Sequence, residues 1–171
     1  IVLGGMTGSG KTDILQVLSK NGHQTLDLEK IANHKGSVFG SLGQDPQQSN
    51  EQFENNLFSV LYALDPQRTI WVEDESRNIG FNVIPPELFN TILKSPVIVL
   101  DIDRDLRLTN LVKNYGKFNK EDLIDCLNKI SRRLGGLNTQ KAIHALSDGK
   151  PELTAKIVLD YYDKSYQHSL S

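Results

Sequence analysis

Short apolar runs alternate with longer stretches of helical periodicity along this chain. Four runs have the length and composition of buried strands: residues 1–3, 24–28, 68–72 and 96–102. The first run is followed by helical spacing over about ten residues, which should end near Asn21-Gly22 because this pair is typical of a helix C-terminus. The alternation predicts an α/β fold with a mostly parallel sheet.

Helical spacing dominates the remainder of the chain, and it is almost continuous in the last third. Phe53, Leu57 and Leu64, for example, fall on one face of a helix predicted over residues 52–64. Further helices are predicted at residues 87–94, 105–115, 120–134, 139–147 and 151–166. Residues 32–50 and 78–86 lack this periodicity, and we expect both segments to be loops.

A glycine-rich segment joins the first predicted strand to the first predicted helix. It reads Gly5-x-x-x-x-Gly10-Lys11-Thr12, the pattern of a loop that wraps around phosphate groups. Glycines let the backbone approach an anion closely, and the following helix N-terminus adds partial positive charge. The phosphate-binding residues that this pattern predicts are Gly5, Thr7, Gly8, Ser9, Gly10, Lys11 and Thr12. Lys11 would neutralise the outer phosphate, and the Thr12 hydroxyl would face a magnesium ion.

With this loop in place, the predicted architecture is a P-loop NTPase-like three-layer sandwich. Right-handed crossovers put the loop at the carboxyl edge of the sheet. For a kinase-like phosphate-loop domain, the expected order of the four predicted strands is 2-3-1-4. The helical C-terminal third would pack on one face or over the site. We expect residues 1–171 to be one domain cut from a longer protein, because residue 1 already lies in the first strand.

Acidic residues follow two of the predicted strands at the edge where the loop should lie. Asp27 and Glu29 come at the end of the second strand, and Glu73 and Asp74 come directly after the third. In phosphate-loop proteins an acid in this place holds magnesium opposite the loop threonine. The predicted metal ligands are Thr12, Asp74 and Asp27, and the predicted catalytic residues are Lys11, Asp74 and Glu73. Glu73 and Asp74 fit the role equally well, and a polar strand end without function is the alternative.

Several basic residues outside the loop have two interpretations. His34 and Lys35 lie in a polar, glycine-containing part of the first long loop, where solvated side chains are the alternative to a ligand contact. Arg77 follows three acids and could pair with them or contact a ligand. Arg132 and Arg133 precede two glycines, as a closing lid would require, although arginines at a helix end are also favourable because of the helix dipole.

Composition excludes several classes of protein. The chain has 171 residues, of which 38% are hydrophobic and 23% charged, so neither disorder nor a coiled coil is indicated. No apolar run has the length of a membrane span and no signal peptide is recognisable, so we expect a cytoplasmic protein with no membrane partner. The single Cys126 excludes an internal disulfide, and its spacing is typical of a helix core face. A net charge of −2 gives no general attraction to nucleic acid.

Five unusual strings occur together in the chain: GGMTGSGKT, LDLEKIANHKGSVFG, WVEDESRNIG, RRLGG and YYDKSY. Together they resemble the C-terminal P-loop domain of bacterial tRNA 2-selenouridine synthases. The resemblance covers essentially the whole chain, and the second and third strings are far more specific than the glycine loop alone.

The resemblance implies a reaction, its substrates and its partners. Members of that family join a rhodanese-like domain with an active cysteine to the P-loop domain, and they act on the wobble uridine of tRNA anticodons. Sulfur of a 2-thiouridine is replaced by selenium through an S-geranyl intermediate, with geranyl diphosphate and selenophosphate as substrates. The rhodanese-like domain would precede this chain, and Cys126 does not match its active-site loop.

Several interpretations remain open at this stage. Basic residues would have to carry any contact with tRNA, and the candidates are His34, Lys35, Arg77, Arg132 and Arg133. A geranyl tail would need an apolar groove, for which loop residues Phe39, Ile79 and Phe81 are candidates, with core packing as the alternative for each. The same loop and acids also fit a small-molecule or nucleotide kinase that uses ATP and magnesium, or a noncatalytic nucleotide-binding module.

Overall fold

The computed structural model describes residues 1–169, and side chains as far as residue 166. It divides into two compact units. The first contains Ile1–Gly5 and Gly10–Leu100, and the second contains Met6–Ser9 and the chain from Asp101 onward. Of the helices in the described residues, none combines the length and the apolar character that crossing a membrane requires.

The first unit consists of a parallel sheet, a short hairpin and surrounding helices. In chain order its elements are β1 (Val2–Gly5), α1 (Lys11–Lys20), β2 (Gln24–Leu26), α2 (Leu28–Ala32), α3 (Asn50–Tyr62), β3 (Ile70–Glu73), β4 (Asn78–Ile79), β5 (Asn82–Val83), α4 (Pro86–Leu93) and β6 (Val97–Leu100).

The four main strands lie in the order β2-β3-β1-β6, and every neighbouring pair is parallel. This confirms the predicted order 2-3-1-4, since β6 is the fourth strand that the apolar runs predict. The register pairs Val72 with both Val2 and Leu26, so these three side chains lie on one face of the sheet. The antiparallel hairpin of β4 and β5 falls in residues 78–86, which we had expected to be a loop.

Helices cover both faces of this sheet. On one face, Phe53 and Leu57 of α3 pack in a buried cluster with Val2, Leu26 and Val72, and the cluster continues through residues of the hairpin and α4. Helix α1 contacts β1, β2 and β3, and its Leu15 is buried. The arrangement confirms the predicted α/β class with a mostly parallel sheet.

Strand β2 is shorter than predicted because a helix begins directly after it. The Asp27 carboxylate accepts a hydrogen bond from the Lys30 backbone N–H at 2.9 Å and so caps the N-terminus of α2. This short helix carries Glu29 on its first turn.

The second unit is helical in its described part. Its helices are α5 (Arg104–Tyr115), α6 (Lys120–Lys129), α7 (Ser131–Leu134), α8 (Gly136–Ser147) and α9 (Pro151–Ser169). Helix α8 packs against α9 and α6, and α5 packs against α9. The helix predicted over residues 120–134 is divided at Ile130. This residue is the C-cap of α6 and the N-cap of α7. Cys126 is buried on the core face of α6, as its spacing predicted.

Two phenylalanines on α3 provide a matched test of this core. Phe53 is 0% exposed and Phe58 is 66% exposed. Phe53→Ala should lower the free energy of unfolding by about 3–5 kcal/mol, because the lost contacts leave a cavity. Phe58→Ala should cost less than about 1 kcal/mol, since it loses mainly a stacked contact with Tyr62. Urea unfolding of both variants measures the difference, and equal losses would contradict this description of the core.

Candidate functional site

The glycine loop leads directly into helix α1. Gly10 precedes the helix in the left-handed conformation, with φ of 81°, and no described side chain caps the helix N-terminus. The backbone N–H groups of the first turn are therefore not occupied by a side-chain cap, which is the arrangement that binds anions at helix starts. The Lys11 Nζ donates a hydrogen bond to the Gly5 carbonyl at 2.8 Å.

Three glutamates form a carboxyl cluster beside the start of α1. One carboxylate oxygen from each of Glu29, Glu73 and Glu75 lies within 4.8 Å of the others. The Thr12 Oγ1 is 3.3 Å from Glu73 Oε2 and 3.4 Å from Glu29 Oε2, so this hydroxyl bridges two of the three. Glu73 is only 1% exposed, and its Oε1 is buried without a hydrogen-bond partner among the described residues.

Burial and mutual repulsion raise the pKa of each of these carboxyl groups. Burial, followed by the charge of Glu29, raises the pKa of Glu73 to about 8. Burial and the charge of Glu75 raise the pKa of Glu29 to about 8, and burial with the charge of Glu73 raises that of Glu75 to about 7. The positive charge of Lys11 opposes all three shifts and is too weak to cancel them. A second source of positive charge would therefore bind here favourably.

Gly36 lets the backbone close over this cluster. Its φ is +72°, and a Cβ atom added there would lie 3.0 Å from both Glu29 Oε1 and Glu75 Oε2. A side chain at this position would push against the carboxylates. Both the positive φ and the nearby carboxylate oxygens of Glu29 and Glu75 therefore favour glycine at position 36.

His34 ties the same strings together. Its imidazole lies between two glycines: a Cβ on Gly40 would be 2.7 Å from the ring Cε1, and a Cβ on Gly80 would be 2.9 Å from Cδ2. The His34 backbone N–H donates to the Glu29 carbonyl at 3.0 Å. The side chain is buried, its Nδ1 has no partner among the described residues, and burial lowers its pKa. His34 is therefore part of the packed interior and is poorly placed as the tRNA contact that we considered.

One glutamine side chain connects the long loop to the hairpin. Gln47 Nε2 lies 2.9 Å from the carbonyl oxygens of Ala32 and Ile79 and 2.8 Å from Asn82 Oδ1. A Cβ on Gly80 would fall 1.9 Å from Gln47 Oε1, so only glycine fits there. The loop of residues 33–49 is thereby fixed against β4 and β5 although it contains neither helix nor strand.

The oxygen atoms of the carboxyl cluster suit a divalent cation. Carboxylates and a hydroxyl are the ligands that magnesium prefers, and the unpartnered, buried Glu73 Oε1 is an acceptor available for such an ion. Of the predicted ligands, Thr12 lies in this group. Asp27 caps α2, and Asp74 is exposed and lies outside the group of three acids.

Strand geometry explains why Glu73 and Glu75 meet while Asp74 does not. Successive side chains of a strand point to opposite faces, so Glu73 and Glu75 share a side if the extended backbone continues past β3. The period-two pattern of Glu-Asp-Glu was a signal in the sequence for choosing between Glu73 and Asp74. The sequence predicted that Glu29 lies at this edge of the sheet. The strand pattern did not indicate that Glu29 lies in a helix that begins directly after Asp27.

The remaining candidate residues are spread over the surface and the core. Lys35 and Arg77 are exposed in the first unit, and Arg132 and Arg133 are exposed on α7 in the second. No described acid forms a salt bridge with Arg77. Of the residues considered for an apolar groove, Phe39 and Ile79 are buried and Phe81 is 60% exposed. Gly5, Thr7, Gly8 and Ser9 form the earlier part of the loop, in which Gly8 has φ of 82°.

The raised pKa values predict how stability depends on pH. In the unfolded chain these carboxyl groups ionise near 4.5, whereas Glu73 in the folded chain ionises near 8. The folded chain therefore binds more protons between these values, and its stability should fall as the pH rises from about 4.5 to about 8. Glu73→Gln removes one ionisation, so in EDTA at pH 8 it should raise the melting temperature by at least about 2 °C.

Melting curves at pH 5.5 and pH 8 measure this effect. The matched control is Glu54→Gln, an exposed glutamate on α3, which should leave the pH dependence unchanged. A Glu73→Gln variant with the same pH dependence as the unmodified chain would show that Glu73 is ionised in the folded state at neutral pH.

Comparison with known proteins identifies the family. All of residues 1–171 match the model of the tRNA 2-selenouridine synthase AAA domain. Three relatives are each described as a tRNA 2-selenouridine synthase. The protein from Shewanella denitrificans is 32% identical over 100% of this chain and 54% of its own length. That from Shewanella sp. strain MR-7 is 42% identical over 66% of this chain and 30% of its own length. The protein from Aeromonas salmonicida is 37% identical over 78% of this chain and 40% of its own length.

The chain thus spans about half the length of the relatives that it matches over nearly all its residues. The family model covers every residue, including those of the glycine loop, the carboxyl cluster and the helical second unit. This confirms the resemblance carried by the five sequence strings. The chain belongs to the family of tRNA 2-selenouridine synthase AAA domains.

Proposed function

We propose that this chain holds a phosphorylated donor for a transferase that modifies tRNA. The observation that carries the proposal is the carboxyl cluster beside the start of α1, the helix that follows the glycine loop. In this cluster Glu73 Oε1 has no described partner and the Thr12 hydroxyl lies close to both Glu29 and Glu73. Such a cluster favours a divalent cation, and a phosphate group bound at the start of α1 would share that cation. The pattern Gly10-Lys11-Thr12 supplies the remaining positive and hydrogen-bonding groups.

The reaction that we propose is conversion of wobble 2-thiouridine into 2-selenouridine through an S-geranyl intermediate. Support comes from the relatives, which are described as tRNA 2-selenouridine synthases. Both small substrates, geranyl diphosphate and selenophosphate, are phosphorylated, so an anion site that need not bind a nucleoside triphosphate is consistent with either. The tRNA anticodon region and a rhodanese-like domain of the full-length protein are the proposed partners, and the cytoplasm is the proposed location.

The geranyl transfer step shows what the site residues would do. The thiouridine sulfur forms a bond to carbon 1 of the geranyl group as the carbon–oxygen bond breaks, and the electron pair remains on the departing diphosphate. Negative charge therefore grows on the diphosphate oxygens. The Lys11 ammonium and the N–H groups at the start of α1 would stabilise that charge. Magnesium held by Thr12, Glu29, Glu73 and Glu75 would add further positive charge.

The first prediction of this proposal concerns Lys11. Lys11→Ala should weaken binding of geranyl diphosphate by at least about tenfold, because one charge-assisted contact to phosphate is lost, equivalent to about 1.4 kcal/mol. The variant should still fold without ligand, and at pH 5.5, where the carboxyl cluster binds protons, its melting temperature should stay unchanged, since the described hydrogen bond of the Lys11 ammonium is to a loop carbonyl at 2.8 Å. Lys20→Ala, at the other end of the same helix, is the matched control and should bind normally.

Isothermal titration with geranyl diphosphate, selenophosphate and ATP, each with and without magnesium, tests the proposal against the kinase alternative. We expect binding of one or both of the first two ligands, stronger with magnesium. Tight, magnesium-dependent ATP binding with phosphate release would replace the proposal by a kinase or nucleotide-binding function.

The second prediction concerns tRNA. Arg132 and Arg133 are adjacent, exposed cations on α7, and phosphate contacts of this kind release counterions. The Arg132→Ala, Arg133→Ala double variant should bind tRNA less tightly and with a shallower salt dependence. Its affinity for the small phosphorylated ligand should change less than about threefold, under 1 kcal/mol.

A charge-matched control is the Lys94→Ala, Lys156→Ala double variant, in which two other exposed cations are removed. Filter binding of tRNA at several salt concentrations gives the slopes. Unaltered tRNA binding together with loss of small-ligand binding would identify the two arginines as a lid.

A further inference from the structure

We propose that Arg107 is a positioning residue for the glycine loop and that, together with Asn110, it fixes the shape of the loop segment Met6–Ser9. The inference concerns the second unit, which contains both that segment and helix α5. It rests on the proposed function only in so far as the loop is taken to bind phosphate.

Arg107 is a buried charge with a fixed orientation. It is 5% exposed, and its Nη1 and Nη2 donate to Asp163 Oδ1 and Oδ2 at 2.7 and 2.8 Å. This two-point pairing holds the guanidinium plane in one position relative to α9. The same Nη1 lies 3.2 Å from the Thr7 carbonyl oxygen, so the loop is attached to an ion pair between two helices.

Asn110 makes the corresponding contact one turn further along α5. Its Nδ2 donates to the Gly8 carbonyl at 3.0 Å. Residues three positions apart lie on the same face of a helix, so Arg107 and Asn110 present their donors to two successive loop carbonyls. Gly8 has φ of +82°, and a Cβ there would lie 2.7 Å from the Arg107 carbonyl oxygen. The loop backbone therefore packs directly on α5.

Holding a carbonyl also orients the N–H group on the other side of the same peptide bond. Because the peptide unit is planar and trans, the Thr7 carbonyl and the Gly8 N–H point in opposite directions. A Thr7 carbonyl turned toward Arg107 thus directs the Gly8 N–H away from α5, and keeps a partial negative charge from turning toward a bound phosphate. The segment is further closed by the Ser9 N–H, which donates to the Met6 carbonyl at 3.1 Å.

A neighbouring ion pair provides the control. Arg104 pairs with Asp160 one turn earlier on both helices, but this pair is more exposed, with 36% and 54% of the two side chains accessible. Arg104 has no hydrogen bond to the loop among the described residues. It joins α5 to α9 as Arg107 does and lacks the loop contact, so comparison of the two separates helix packing from loop positioning.

Three variants of this chain test the inference: Arg107→Lys, Asn110→Ala and Arg104→Ala. A lysine ammonium can still face Asp163, but it lacks the planar fork that serves the carboxylate and Thr7 together. The first measurement needs no ligand: hydrogen exchange of the Ser9 amide, followed by NMR. We expect exchange about three- to tenfold faster in Arg107→Lys and Asn110→Ala, the range of one lost hydrogen bond, and unchanged exchange in Arg104→Ala.

The second measurement is the Kd for inorganic pyrophosphate, which should rise about three- to tenfold in the first two variants and stay constant in Arg104→Ala. Asn110→Ala leaves both ion pairs intact and decides the matter if Arg107→Lys fails to fold. Ser9 exchange that is the same in Asn110→Ala as in the unmodified chain would overturn the inference. If Ser9 exchanges faster in Arg107→Lys and Asn110→Ala but the unmodified chain binds no pyrophosphate, the positioning role of Arg107 is supported. Phosphate binding by the loop is then refuted.

Discussion

Three carboxyl groups, one buried and two partly buried, lie together in the first unit, and the repulsion among them is the constraint on which the local structure depends. The oxygens of Glu29, Glu73 and Glu75 lie within 4.8 Å of one another, and Lys11 offsets only part of their charge. Like charges buried together must either bind protons or bind a cation. The surrounding chain leaves room for them: Gly36 lacks a Cβ atom, which would lie 3.0 Å from one oxygen each of Glu29 and Glu75.

This arrangement costs stability, and the cation site proposed above would explain why the chain keeps it. A buried acceptor without a partner, such as Glu73 Oε1, is unfavourable in a folded chain. The same oxygen would be favourable with the proposed divalent cation and phosphate group bound nearby. Places where a sequence departs from the rules of a stable core are commonly functional sites. The carboxyl cluster, Thr12 and the uncapped start of α1 all conform to that expectation.

Much of the fold could be predicted from the sequence because it depends on local periodicity. The four parallel strands, the helices and the glycine loop follow from short-range patterns, and the strand order follows from the phosphate-loop architecture that the loop indicates. The remainder depends on contacts between distant residues. Gln47 fixes the hairpin of β4 and β5 from 32 residues away, and Asp27 ends β2 early by capping a helix that the strand pattern hid. The roles of Glu29 and Glu75 likewise required knowing which elements meet.

The three glutamates and Thr12 are proposed to hold a divalent cation beside a loop-bound phosphate. Crystals of this chain grown with Mn²⁺ and inorganic pyrophosphate would test it directly, because Mn²⁺ prefers the same oxygen ligands as magnesium and gives an anomalous signal. We expect an anomalous peak at bonding distance, about 2–2.5 Å, from Glu73 Oε1 and at least one other carboxylate of the cluster. Pyrophosphate bound in the loop with no peak there, or with the peak at Asp27 or Asp74, would contradict it.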